Sequence, residues 1–295
     1  MLWIPATLIA AAAQTARNAM QRSLTEHLGT LGATQVRFLY GLPFALLFLG
    51  VLVRVTGSSI PPPGARFVAF TAAGGVAQIA ATALLLMAMR RGSFPVATAL
   101  SKTEAVQIAV FGLLILGDHL TPLRGAAIAI ATAGVTLAAF KRGERWTVTS
   151  LRPALLGIAA GGAFALAAVG FRGGILALGD GPWWLRATTT LVWSLGIQAG
   201  LLGSCMMLVA RPALLGSLRL WRPSLLAGFF GALASQFWFL GFALTSAANV
   251  RTLGLVEVLF AQAVGWLVLR QRITGRETLG MLLIVAGVAL LLAAA

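Results

Sequence analysis

The chain has 295 residues, of which 59% are hydrophobic and only 10% charged, with a net charge of +15. A soluble domain carries about 25% charged residues, so an ordinary water-soluble fold is excluded. The positive charge is not a nucleic-acid footprint either. Most Lys and Arg sit between or at the ends of apolar runs, where cytoplasmic loops and lipid headgroups take them.

Apolar runs long enough for a membrane core of about 30 Å recur along the chain. They predict ten helices, over residues 2–20, 34–54, 67–89, 95–116, 123–140, 153–171, 183–209, 223–244, 250–269 and 278–293. A β-barrel would need short alternating segments instead. Span one has no basic leader, so it is expected to stay as a membrane helix. It carries Thr7, Gln14, Arg17, Asn18 and Gln21. Positions 14, 17, 18 and 21 share one helix face, which should turn to the interior. Gln14 is deep enough to serve a site, while Arg17 and Gln21 read as anchors near the end. His27 is expected in a loop.

Span three holds Gln78, with Thr82 one turn on. Span four holds Lys102, Glu104 and, one turn later, Gln107, and it ends in the turn Leu116-Gly117-Asp118-His119-Leu120-Thr121. A polar connector, 141–152, separates five spans from five. Gly157/Gly161 in span six and Gly196/Gly200 in span seven predict close helix packing. The single cysteine, Cys205, excludes an internal disulfide. Span eight places Gln236 beside Trp238, and span nine holds Asn249, Arg251, Glu257 and Gln262. Trp146, Trp183, Trp184 and Trp221 flank spans as interfacial anchors; Trp193 and Trp266 read as packing.

Shifting the sequence by 153 residues lays Glu104 on Glu257, Gly112 on Gly265, Thr121 on Thr274 and Ala133-Gly134-Val135 on Ala286-Gly287-Val288. The expected domains are residues 1–140 and 153–295, one five-helix repeat each, joined by 141–152. Five is odd, so the second repeat must enter the bilayer from the opposite face. The fold class is therefore an all-α polytopic membrane protein of ten transmembrane helices in two inverted repeats. Fourteen Lys and Arg flank the odd-numbered loops against six at the even-numbered ones, which puts both termini outside.

The helix count, the Arg37-Phe38 pair opening span two, the turn after span four and the Ala-Gly-Val triplets resemble the drug/metabolite transporter superfamily, in its EamA-like branch. The turn resembles Leu-Gly-Glu-x-Leu-Ser/Thr, with Asp118 in place of Glu; in the second half it is degraded to Leu269-Arg270-Gln271-Arg272-Ile273-Thr274. The family often breaks spans four and nine with proline, where this chain has Lys102-Thr103-Glu104-Ala105 and Val256-Glu257-Val258. The resemblance implies termini inside, against the charge count. It also implies export of small organic solutes such as amino acids, related metabolites or drugs, from a bacterial inner membrane.

Ionised carboxylates in hydrocarbon must pair, reach water or protonate. Glu104 and Glu257 thus either exchange a proton or bind a substrate amine, or else they pair with Lys102 and Arg251. A Lys102–Glu257 contact would join the two repeats. Arg251 beside Asn249, near a helix start, would hold a substrate carboxylate or snorkel to the interface. Gln14, Gln78, Gln107, Gln236 and Trp238 complete the expected substrate site; an indole next to an amide suits an amphipathic solute. No catalytic motif, metal cluster or cofactor site is recognised, so the protein is expected not to be an enzyme. The expected partners are a small-molecule substrate and the bilayer, with the chain acting as a monomer and oligomers left open. Import or facilitated exchange is the alternative to export, ahead of a lipid-handling or assembly role.

Overall fold

The structure is a computed structural model that describes residues 1–91, 100–139, 148–267 and 274–294. All elements among them are helical. Six stretches are long and apolar enough to cross a membrane: Leu31–Thr56, Ala65–Leu85, Arg152–Ala177, Trp183–Val209, Trp221–Leu244 and Gly275–Ala293. Two shorter apolar helices, Glu104–Leu116 and Pro122–Ala138, join them. The chain is thus an all-helical integral membrane protein, although the described residues do not reach the expected count of ten spans. Residues 141–147 of the expected connector, with Trp146, lie outside the described residues.

Helix α1 (Trp3–Leu39) corrects the first boundary. It runs straight through the segment expected to be a loop, His27 included, and is interrupted only at Gly29, where φ is 63°. Residues 20–28 contain Met, Gln, Arg, Leu and Glu, all good helix formers, so nothing before the glycine stops the helix.

The chain forms two compact units, each assembled from both sequence halves. The first comprises Met1–Val76 and Gly170–Thr245. It holds α1, α2 (Gly41–Thr56), the first part of α3 (Ala65–Arg91), the last part of α6 (Val148–Ala177), α7 (Trp183–Val209), α8 (Arg211–Arg219) and α9 (Trp221–Leu244). Inside it, α9 meets the α1–α2 corner so closely that a Cβ on Gly228 would lie 2.7 Å from the Tyr40 carbonyl carbon. Likewise α6 meets α3 at Gly170, whose Cβ would lie 2.9 Å from Gly74 Cα. The Arg172 guanidinium closes the end of α9, donating to the carbonyls of Phe242 (2.7 Å) and Thr245.

The second unit comprises Ala77–Val169 and Ser246–Ala295. It holds the rest of α3, α4 (Glu104–Phe111) with the π-turn Gly112–Leu116, α5 (Pro122–Ala139), the start of α6, α10 (Ala247–Leu253) with the 3₁₀ turn Gly254–Val256, α11 (Glu257–Leu267) and α12 (Gly275–Ala293). The repeated Ala-Gly-Val triplets explain its tightest contact. A Cβ on Gly134 of α5 would lie 2.7 Å from the Gly280 carbonyl oxygen of α12, and one on Gly287 would lie 2.6 Å from the Ala131 nitrogen. Backbone therefore touches backbone, the close approach that small residues permit. The two helices are also tied at an end, where Arg124 donates to the Ala294 carbonyl at 3.1 and 3.2 Å. Both repeats open their last span on the corresponding threonine: Thr121 Oγ1 accepts from the Arg124 amide, and Thr274 caps α12 in a capping box with Glu277.

The glycine pairs expected to bring helices together divide. Gly161 sits against the Ser101 carbonyl and Thr103. Gly196 and Gly200 have nothing within 4 Å of an added Cβ, so they do not mediate packing here. The short amphipathic helix α8 has no counterpart in the sequence reading, because its nine residues are too few to give a span-length signal.

Candidate functional site

Spans four and nine change helix type just before their glutamates. In span four, Thr103 N–H bonds the Leu100 carbonyl (3.2 Å) and Ala105 N–H bonds the Lys102 carbonyl (3.4 Å), the i to i+3 pattern of a tightened turn. Glu104 then opens α4. In span nine the 3₁₀ turn Gly254–Val256 precedes Glu257, which opens α11. The interruption that proline often supplies in such proteins arises here without it. Each carboxylate therefore sits on the first residue of a regular α-helical stretch, where the helix type changes.

Each carboxylate also takes its cation from the opposite repeat. Arg251 Nη2 lies 3.0 Å from Glu104 Oε1. Lys102 Nζ bonds Glu257 Oε1, the cross-repeat contact expected from the sequence. The first pair is well buried, with side-chain exposures of 18% and 7%. Two cations and two carboxylates leave the cluster electrically neutral. Coulombic attraction at this separation is strong in a low dielectric, but desolvation opposes it, so the pairs are no proof of stability.

Around this cluster other expectations are redirected. Arg251 does not stand at a helix start: Ser246 is the N-cap of α10, accepting from the Asn249 amide at 3.3 Å, and Arg251 comes in its last turn. Its carboxylate partner is Glu104, the pairing that the sequence offered beside the substrate clamp. Asn249 is buried two residues away. Gln107 Nε2 donates to Thr103 Oγ1 (3.0 Å) and to the Ile158 carbonyl (3.3 Å), tying α4 to α6. Gly162 makes room for it, since a Cβ there would lie 2.6 Å from Gln107 Oε1. Gln78 belongs to the same unit, and its carbonyl accepts from Thr82 Oγ1 at 2.9 Å.

The remaining candidates lie in the first unit. Trp238 Nε1 donates to Gln14 Oε1 at 3.0 Å, joining α9 to α1. Gln236 Nε2 donates to Thr188 Oγ1 of α7 at 2.7 Å. Arg17 is buried at 7% exposure, not an interfacial anchor, and bonds Asn18 Oδ1 through Nε and Nη2. Asn18 is exposed, which limits the expected interior stripe. Arg17 Cδ and Arg37 Cγ both come within 3.6 Å of the position of a Cβ on Gly231. The sequence signal for Arg17 was its place on the polar face of span one; its depth was not readable. Ser246 and Thr188 were missed because a lone hydroxyl in an apolar run gives no pattern.

Trp238→Phe removes the indole donor while keeping the ring. It should destabilise the protein by about 1 kcal/mol, the net worth of this part-buried hydrogen bond to Gln14. Trp238→Phe combined with Gln14→Leu should be less damaging than the sum of the two singles, read from thermal unfolding of the detergent-solubilised protein. Strict additivity would show that the bond is not made.

Interrupted helices that meet through paired charges, in an all-helical membrane chain, are the kind of place where intramembrane ionisable groups serve ion or solute sites. The match to known families is more specific. The model of the EamA-like transporter family matches residues 1–140 and again 151–293. The chain therefore belongs to that family, with two repeats. Among curated proteins none matches. A solved structure titled "Crystal structure of protein" is similar over 97% of this chain and 95% of its own, with a TM-score of 0.73 and 17% identity. At that identity the likeness concerns the fold alone.

Proposed function

We propose that the protein is a secondary active transporter that exports small amphipathic organic solutes, such as amino acids, related metabolites or drugs, and that its charged cluster couples this export to protons. The observation that carries the reading is the pair of crossed ion pairs, Arg251–Glu104 and Lys102–Glu257, set at the interruptions of two repeat-related spans. A neutral cluster of this kind admits a charged group of a solute by exchange. A solute amine replaces a cation at a glutamate, or a solute carboxylate replaces a glutamate at Arg251 or Lys102. A carboxylate displaced from its cation in a low-dielectric site takes up a proton rather than remain charged. Binding, proton uptake and rearrangement of the interrupted helices are thereby linked, as alternating access around such a site requires. Within this reading Gln107 and Asn249 position the cluster.

The test is flux in proteoliposomes with an imposed pH gradient, screened over zwitterionic, cationic and neutral solutes. Wild type should show saturable flux that follows the gradient. Glu104→Gln and Glu257→Gln should remain folded and lose the gradient dependence. Flux that ignores the pH gradient in wild type removes the proton coupling, and saturable flux opposite to the export direction favours import.

A further inference from the structure

The first unit carries a second feature that the transport reading does not use. A groove of about 620 Å³ is lined by Gln35 and Leu39 of α1, Gly200 and Met207 of α7, and Leu214 and Leu218 of α8. Its floor on α7 is open because Gly200 places no side chain there. Its walls are apolar apart from Gln35 and Ser204. Gln35 is 1% exposed, and its Nε2 donates to the Ala199 carbonyl at 3.2 Å. Its Oε1 is buried with no donor. An occupant with a hydrogen-bond donor would satisfy it, as buried acceptors ordinarily require.

Helix α8, which gives Leu214 and Leu218 to the groove, is basic. Arg211 and Arg219 stand at its two ends, and Arg222 follows, stacked on the exposed Trp221 at 5.4 Å from the ring centroid. Arg211 shares a helix stripe with the groove residues Leu214 and Leu218, three and seven positions on. No Asp or Glu occurs between Asp180 and Glu257, so α7, α8 and α9 carry none, and α1 carries one, Glu26. A short amphipathic helix with arginines at its ends and a Trp beside it is the pattern of a helix lying at a lipid–water interface.

We propose that this groove is a binding site for an anionic phospholipid with a hydroxyl-bearing headgroup, of the phosphatidylglycerol type. One acyl chain lies along α7 over Gly200, the phosphate is held by the arginines of α8, and a glycerol hydroxyl supplies the donor for Gln35. Phosphatidylcholine has neither the net charge nor the headgroup hydroxyl, so it fits the groove but not the arginines. The site is independent of the charged cluster and stands whether or not the transported solute is the one proposed above.

The experiment is native mass spectrometry of the full chain released from vesicles of equimolar phosphatidylglycerol and phosphatidylcholine. Wild type should retain phosphatidylglycerol in preference to phosphatidylcholine. Each arginine near a membrane surface contributes about fivefold to attraction of anionic lipid, so Arg211→Ala with Arg219→Ala should cut the preference about 25-fold. The double lysine variant should keep most of it, which separates loss of charge from loss of fold. Gly200→Trp should fill the floor and expel the retained lipid. Equal retention of the two lipids by wild type, or a preference unchanged in the double alanine variant, overturns the proposal.

Discussion

Arg251→Leu should lower the stability of the protein by about 3–5 kcal/mol, among the largest effects of any single change. The cause is the glutamate left behind. Glu104 is 5% exposed, and its observed cation is Arg251 at 3.0 Å. Without the arginine, an ionised carboxylate is held in a poorly solvated place, or it gives up its charge by taking a proton. Arg251→Leu with Glu104→Leu should recover much of the loss, because two apolar side chains of similar volume replace a pair whose desolvation had cancelled much of its attraction. The check is a double-mutant cycle on thermal unfolding in detergent, with Arg54→Leu as an exposed control that should change stability by less than about 0.5 kcal/mol. A double variant as unstable as the sum of the singles would show that the two residues are not coupled. Recovered stability with abolished flux is the expected combination. It would separate what the pair does for transport from what it does for the fold.

The second large effect is at the α5–α12 crossing, where one substitution should have opposite signs at different glycines. Gly134→Ala, Gly280→Ala and Gly287→Ala each place a Cβ within 2.6–2.7 Å of a backbone atom. A backbone neighbour cannot swing aside as a side-chain tip can, so the helices must separate, at a cost of about 1–3 kcal/mol for each. Gly196→Ala and Gly125→Ala meet nothing within 4 Å. There the only change is the loss of glycine's backbone freedom in a helix, which should stabilise by about 0.5–1 kcal/mol. Melting temperatures of the five variants decide the matter. If the crossing variants were neutral, α5 and α12 would not be in backbone contact.

The same contrast shows where patterns in the sequence carry spatial meaning. The Ala-Gly-Val triplets recur at an interval of 153 residues, and both glycines lie at the one crossing. The pair Gly196/Gly200 has the same spacing rule and no such role, because a small residue permits contact without requiring a partner to be there. Glu104 and Glu257 were legible through their rarity in apolar runs, and Lys102 was legible as a partner for Glu257. Arg251 was legible both as a partner for a membrane carboxylate and as a ligand-holding residue at a helix start; Ser246 caps α10 upstream of it, and Arg251 pairs with Glu104. Gln107 has the right spacing to share a face with Glu104, yet its amide is used to hold α6. Spacing along a helix says which residues share a face, but it does not say which neighbour that face meets.

The amino-acid sequence by itself determined that this is a helical membrane protein with two repeats and that its charges within the membrane centre on two equivalent glutamates. Those properties follow from composition, apolar length and internal similarity, which a bilayer enforces locally on every segment. The tertiary structure alone decided that Glu104 meets Arg251 and where spans four and nine are interrupted. It also decided that α1 runs on to Gly29 and that α8 lies beside an open groove. These depend on close approach between segments far apart in the chain, where a carbonyl a few ångströms away decides the outcome and leaves no local trace in the order of residues.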